Sequence, residues 1–445
     1  MRHVTSGQGY DDHYEYDIWC HWNAKLTGRN IPRKPPPPPT DEQWVQLVLD
    51  ETRAWLSSLP PRGPGCNSNI WPTWRQYHAH QIAAFLEFGS PPNKDDAVEV
   101  YYCASNEDAA NLIDSGALLV IENQQPFPWN GPPLNDSFQR LSDPECLRRL
   151  QLRDPTSNGP INTRSFDATM RDYHWVTIPT RPRDTVNPNG QVTRQSPFFR
   201  KTLLQIQKKL VMGTPRNDDK WNVLTMVQWV PVPYPPFLNT PNSDIIHRID
   251  ALEATGAGPT VLSGRNIEFM LLSEGGNHTA SHVDDFAPGI FFTCHQGPVG
   301  IGWIPLSWQD RLKWEQEPLS FKGQARYLVL HPGQTVYMPP GTIHYVFRKL
   351  SDPTLITGGE VLAWAGLRRW LCLLKHQELS ETEPEVTSDR AGNWVACLVE
   401  LVKQRHEAQD WNSIPGGREE LELVMKTLEV GSAIAATEKL LTWTR

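Results

Sequence analysis

His331-Pro332-Gly333-Gln334-Thr335-Val336-Tyr337-Met338-Pro339-Pro340-Gly341-Thr342-Ile343-His344 is the stretch on which the fold turns. It reads as the end of one strand, a tight turn, a strand over Thr335 to Met338, a Pro-Gly turn and a third strand that opens with a histidine. A hairpin-like return of this kind places His344 at the start of the next strand, a geometry that suits a third ligand coming from the opposite sheet of a small barrel. Sixty residues upstream lies Thr279-Ala280-Ser281-His282-Val283-Asp284. On a strand, residues i and i+2 point to one face, so His282 and Asp284 project together.

Two imidazoles and one carboxylate are the ligands of a 2-His-1-carboxylate site, which holds Fe(II) on one side and leaves the other open. The H-x-[DE] triplet alone says little, since His13-Tyr14-Glu15 and His376-Gln377-Glu378 also carry it. The first sits in a polar tail and the last on a charged helical segment, and both suit solvated surface. A competing reading makes His282 and His344 core residues satisfied by hydrogen bonds. The two motifs in this order and context favour a metal: His282, Asp284 and His344. Asp285 would point away from His282 and reads as a surface or outlying acid.

Working outward, short apolar segments between Pro/Gly/Asn/Asp clusters fill 165–365 in the pattern of a sandwich or barrel. The strand candidates are Glu268 to Leu272, Gly289 to Cys294, Ile301 to Ile304, Arg326 to Leu330, Thr335 to Met338 and His344 to Phe347. Arg200 to Leu210 reads as one inserted helix. Before it, 41–164 is helical and then mixed α/β. A helix starts at Thr40, with Gln43 at capping-box spacing, and stops at Pro60-Pro61. Val98 to Tyr102 and Ala117 to Ile121 are strands, with a helix over Asn106 to Ser115 between them. Residues 1–40 form a polar tail ending in Pro35 to Pro39, a polyproline-like spacer. From 366 to 445 the pattern is helical: Trp394, Cys397, Leu398 and Leu401 share a face, and Arg418 to Leu428 and Ala433 to Leu441 follow. The C-terminal helices are expected to pack on the barrel rather than to form a dimer interface. The fold class is α+β.

The chain of 445 residues has 40 prolines and 18 tryptophans, which suit loop-rich β structure, and a net charge of −8. That charge argues against a tight, sequence-independent grip on nucleic-acid phosphates, although it leaves room for a local basic patch. Seven scattered cysteines with no C-x-x-C pair point to reduced thiols in the nucleus or cytoplasm and to no zinc finger. No secretory h-region and no apolar run long enough to span a bilayer is present, so the sequons at Asn135 and Asn277 carry no weight.

Residues 266–364 resemble a Jumonji C (JmjC) domain. The matching pieces are Thr279 to Asp284, His295-Gln296-Gly297, Trp303-Ile304-Pro305, Pro332-Gly333, Pro339 to His344 and Gly358-Gly359, with Gly116 to Ile121 resembling the strand that opens the wider fold. The resemblance implies a double-stranded β-helix, a cupin-like jelly roll. It implies Fe(II) held by His282, Asp284 and His344, and 2-oxoglutarate as cosubstrate with Thr279 on its distal carboxylate. The implied activity is a dioxygenase of the protein hydroxylase or lysine demethylase type, with a histone as substrate by family analogy alone. The family's lysine for that carboxylate falls on Val299 and a helping tyrosine on Phe292. Arg348, which shares strand parity with His344, is the expected replacement cation, and Arg326 and Lys322 are further candidates. The alternative is a JmjC-like pseudoenzyme that keeps the barrel and serves as a binding module in a chromatin or other regulatory assembly; a simple cupin-type metalloprotein without 2-oxoglutarate is a third reading. Oligomeric state is left open by the sequence.

Overall fold

A computed structural model describes residues 40–60, 71–92, 99–152, 166–171, 173–180, 182–212, 220–254, 267–284, 286–305, 308–316, 318, 321, 324–379, 388–411, 414 and 416–428. The strands in chain order are β1 (Val100–Cys103), β2 (Leu118–Glu122), β3 (Tyr173–Thr177), β4 (Asp184–Val186), β5 (Val192–Arg194), β6 (Phe198–Thr202), β7 (Asn222–Val227) and β8 (Glu268–Ser273). Then come β9 (Thr279–His282), β10 (Gly289–Gln296), β11 (Val299–Trp303), β12 (Arg326–Leu330), β13 (Gln334–Met338), β14 (His344–Phe347) and β15 (Thr354–Val361). Nine of them form one mixed sheet in the order β1-β2-β13-β10-β15-β8-β7-β3-β6. Four form an antiparallel sheet, β12-β11-β14-β9, and β4-β5 is a separate hairpin. The protein is α+β.

Burial explains why the central strands read as near-continuous apolar runs. Every residue of β15 and all but the last of β10 are buried, because both faces of the large sheet are covered. Inward-facing Ile290, Phe292 and Cys294 of β10 pack with Val299, Ile301 and Trp303 of β11 and Val346 of β14. Outward-facing Phe291 joins Tyr337 and Leu119 in a second cluster. β1 and β2, read from sequence as part of the N-terminal region, extend the same sheet as β13, β10 and β15.

Four helices position the site: α1 (Thr40–Ser57), α2 (Trp74–Phe88), α3 (Trp308–Gln316) and α4 (Leu367–Leu379). A capping box starts α2: Thr73 accepts from the Gln76 amide and Gln76 reciprocates. Its Ile82, Phe85 and Leu86 lie on one helical face and pack, with Val45, Val48 and Leu49 of α1, on the outer side of the small sheet. The sheet meets them with Tyr345 and Phe347, whose cross-strand partners are Gly302 and Gly300. A Cβ on Gly302 would stand 1.9 Å from the Tyr345 ring, so the G-x-G of β11 makes room for both aromatics.

The interior helix expected over Arg200 to Leu210 needs correcting. Phe198–Thr202 is a strand, and the helix covers only Leu203–Leu210 because Thr202 caps it in a box with Gln205. Trp394, Cys397, Leu398 and Leu401 are buried on α5 (Ser388–Glu407), packed in one cluster with Trp370 of α4 and Ile245, Ile246 and Ile249. Residues 417–428 are helical. The expected tail over 1–40, apart from Thr40, and the helix over Ala433 to Leu441 lie outside the described residues, as do Asp285 and Lys322. No described helix is long and apolar enough to cross a membrane.

Candidate metal centre

His344 opens β14 directly across from His282, the last residue of β9. Their rings lie 4.3 Å apart between centroids. Asp284, two residues on, sends its carboxylate oxygens to 3.7 Å from His282 Nε2 and 3.8 Å from His344 Nε2. One ligand atom from each of the three residues lies within 4.8 Å of the others, the only such grouping among the described residues. Bonds of 2.0–2.2 Å to a shared ion would set neighbouring ligands about 3 Å apart, so small side-chain rotations close the set.

The tautomers are set by the backbone. His282 Nδ1 bonds the Ala280 carbonyl at 2.9 Å, and His344 Nδ1 bonds the Thr342 carbonyl at 3.1 Å. A carbonyl only accepts, so each Nδ1 carries the proton and each Nε2 keeps its lone pair for a metal. Burial, helped by His282, holds the His344 pKa down at about 4, which keeps that ring neutral. The side chain of His344 is 2% exposed, while those of His282 and Asp284 are 38% and 33% exposed. The accessible side of the centre is therefore the side of His282 and Asp284.

Three local devices hold these ligands. β9 is the last strand of its sheet, and α2 takes the place of a further strand along its free edge. His78 Nδ1 donates to the His278 carbonyl at 2.8 Å, and the Ser281 amide donates to Gln81 Oε1 at 2.6 Å. At the other ligand, Arg311 of α3 donates to the Gly341 carbonyl at 2.7 Å in the turn before His344. Gly341 has φ +70°, and a Cβ there would meet Leu373 at 2.2 Å. After Asp284, Phe286 and Ala287 both adopt positive φ, 64° and 47°. That turn is tied by the Ala287 amide to the Asp284 carbonyl at 2.8 Å and by the Trp370 indole to the Phe286 carbonyl at 2.7 Å. None of His78, Gln81, Arg311 and Trp370 stood out in the sequence, because each acts on a segment far away in the chain.

The register also locates the cosubstrate candidates. Between His344↔His282 and Val346↔Thr279 one residue of β14, Tyr345, opposes two of β9, Ala280 and Ser281, a bulge. The bulge turns Thr279 to the same face as His282, and Ser281 points outward, where its Oγ accepts from Trp314 Nε1 at 2.9 Å. Val299 and Phe292 are buried in the apolar interior, with Phe292 6.3 Å from the His344 ring. Gly300 pairs with Phe347, so the next pair in that register is Val299 with Arg348.

Arg348 is buried at 2% exposure. Its Nε donates to Thr354 Oγ1 at 2.9 Å and its Nη1 to the Asn277 carbonyl at 3.3 Å. No carboxylate pairs with it among the described residues, and burial lowers its pKa to about 10. Arg326 is engaged elsewhere: its Nε bridges both oxygens of Glu99 at 3.1 and 2.9 Å. In comparison with known proteins, no protein-family model and no curated protein sequence matches this chain.

Proposed function

We propose that the chain is a JmjC-like Fe(II)- and 2-oxoglutarate-dependent dioxygenase of the protein hydroxylase or lysine demethylase type. The observation that carries this reading is the convergence of His282, Asp284 and His344, whose ligand atoms lie within 4.8 Å of one another. Two imidazoles on adjacent strands and a carboxylate two residues past the end of one of them, with both Nε2 lone pairs free, suit a facial Fe(II) site better than the thiolate-rich sites of structural zinc. The small sheet β12-β11-β14-β9 facing β13-β10-β15-β8 also supports a double-stranded β-helix.

Iron held there, with 2-oxoglutarate on its open side, supplies O2 activation coupled to decarboxylation of 2-oxoglutarate and hydroxylation of a substrate C–H bond. The chain's own residues do the rest. His282 and His344 donate Nδ1–H to carbonyls and so turn each Nε2 towards the metal, Thr279 offers a hydroxyl on the lumen side, and Arg348 offers a buried cation to the distal carboxylate. An unpaired buried guanidinium is costly, and an anion that meets it recovers much of that cost. Arg348 stands across one strand pair from the family's lysine position, about 5 Å between Cβ atoms.

A second reading, a pseudoenzyme with the barrel kept as a binding module, is favoured by one observation. Val299 and Phe292 are apolar and buried where a charge and a hydroxyl are expected. Anaerobic reconstitution with Fe(II), with and without 2-oxoglutarate, separates the two. The dioxygenase reading expects a weak visible charge-transfer band that appears only with 2-oxoglutarate. Stoichiometric iron with no band supports the pseudoenzyme, and unchanged iron binding in His344→Ala removes the metal site itself.

A further inference from the structure

Residues 171–212 carry eight Arg and Lys against two Asp, in a chain whose net charge is −8. The same segment holds most of the exposed large apolar side chains among the described residues, including Tyr173 (58% exposed), Trp175 (55%) and Phe198 (37%). These three lie on one face of the β3–β6 ribbon at the end of the large sheet. Trp175 pairs with Arg200 and Thr177 with Phe198, so Tyr173, Trp175, Phe198 and Arg200 point the same way. The opposite face is conventional: Val176 is fully buried, and Phe199 packs against the same core. A solvent-facing sheet side normally carries polar residues, so an aromatic one marks an interaction surface.

The arrangement of rings and cations selects the partner. Tyr173 and Trp175 are alternate residues on a strand, about 6.6 Å apart. The Arg200 guanidinium lies 5.3 Å from the first ring and 5.9 Å from the second. Planar rings interleaved with a planar cation offer stacking platforms for bases, and the basic surround offers contacts to phosphates. Arg194, 67% exposed in its side chain, adds charge on the adjoining hairpin. The segment's Lys201 faces the other side of the ribbon over Trp221, and Lys209 is paired with Glu274 at 3.4 Å, so Arg200 and Arg194 are the cations of this face. The register Thr177↔Asn222, Asn222↔Ser273 and Ser273↔Thr354 puts the platform on the lumen side of the large sheet.

We propose that the Tyr173–Trp175–Phe198–Arg200 face binds single-stranded nucleic acid, by stacking bases on the rings and meeting phosphates with Arg200 and Arg194. This surface stands independently of the metal centre, and His344→Ala is expected to retain it. The test is fluorescence anisotropy of labelled oligo(U) and oligo(dT) of about a dozen nucleotides with the full-length chain, at about 50 and 200 mM salt. Binding that weakens with salt is expected. Tyr173→Ala with Trp175→Ala should weaken it about tenfold or more with the melting temperature unchanged, since both side chains are exposed. Arg200→Gln should reduce the salt slope by about one. Failure to bind either oligonucleotide at low salt, or binding indifferent to the double substitution, overturns the proposal. Polyglutamate competing as well as oligo(U) at equal charge also overturns it, in favour of an acidic polypeptide partner.

Discussion

The indole of Trp370 donates a 2.7 Å hydrogen bond to the carbonyl of Phe286, two residues beyond the proposed ligand Asp284. Phe286 itself stacks on Trp394, 5.8 Å between centroids. Two C-terminal helices thus hold a turn whose residues Phe286 and Ala287 sit at positive φ. Without glycine, such a conformation costs roughly 1–2 kcal/mol per residue and persists only where surrounding contacts impose it. Trp370→Phe keeps an aromatic ring, removes the donor and leaves a small void at this fully buried position. Supports of this kind are worth about 10–100-fold in metal affinity, so about tenfold weaker Co(II) or Fe(II) binding is expected. Anaerobic metal titration beside apo-protein melting checks it. A lowered melting point with unchanged metal affinity would mean that the clamp serves only the fold.

The turn before His344 gives a second prediction. Gly341 combines φ +70° with a backbone that leaves no space for a Cβ beside Leu373. Gly341→Ala incurs left-handed strain and an overlap with Leu373, together about 2–4 kcal/mol of lost stability. Leu373→Ala in the same chain relieves the overlap and leaves the strain. The double variant should therefore be less destabilised than the two single losses added together, a coupling that urea denaturation of all four proteins measures.

Much of this architecture was legible from local pattern. β12 and β14 occupy the residues expected, Arg326 to Leu330 and His344 to Phe347, because short apolar segments bounded by Pro-Gly turns are nearest-neighbour signals. His282 and Asp284 meet because they are close in sequence, but His344 arrives otherwise than expected. β13 and β14 lie in different sheets and form no hairpin, and His344 stands beside His282 on the neighbouring strand of one sheet instead of facing it from the opposite sheet. The boundary at Thr202 was missed although its capping box with Gln205 was present in the sequence, since Arg200 to Leu210 also satisfies helical spacing. What stayed hidden is long-range. That His78 and Gln81 cover the edge of β9 depends on contacts 200 residues apart. That Arg348 faces Val299 depends on sheet register.

This facing pair yields a third prediction. If Arg348 holds the distal carboxylate of 2-oxoglutarate, Arg348→Met should abolish the 2-oxoglutarate-dependent change in the Fe(II) spectrum while metal affinity stays within about twofold. Removing an ionic partner from a buried carboxylate costs about 3–5 kcal/mol, or about two to four orders of magnitude in affinity. Adding Val299→Lys to that variant returns a cation across one strand pair and should restore part of the response. A response that survives Arg348→Met would send the cosubstrate elsewhere.

Stability against pH gives the last prediction, and it concerns the metal-free protein. Burial holds the pKa values of His278, His295 and His344 at about 3, about 4 and about 4, below the usual 6.5. In the unfolded chain these rings titrate near 6.5, so between there and pH 4 the unfolded state binds protons that the native state refuses. Their contribution is therefore complete above about pH 6.5 and lost as pH falls towards 4, at about 1.4 kcal/mol per pH unit for each ring. His295 isolates the effect, because among the described residues its ring hydrogen-bonds Thr357 Oγ1 through Nε2 at 2.7 Å and none of the three ligand candidates. His295→Gln should lower stability at pH 7, where a neutral imidazole fits the site, and flatten the decline between pH 6.5 and 4 by about one proton. Urea midpoints measured across that interval decide it. A decline as steep as in the parent chain would show that His295 already carries its proton in the folded protein, and that the polar cluster around Thr357 stabilises the charge.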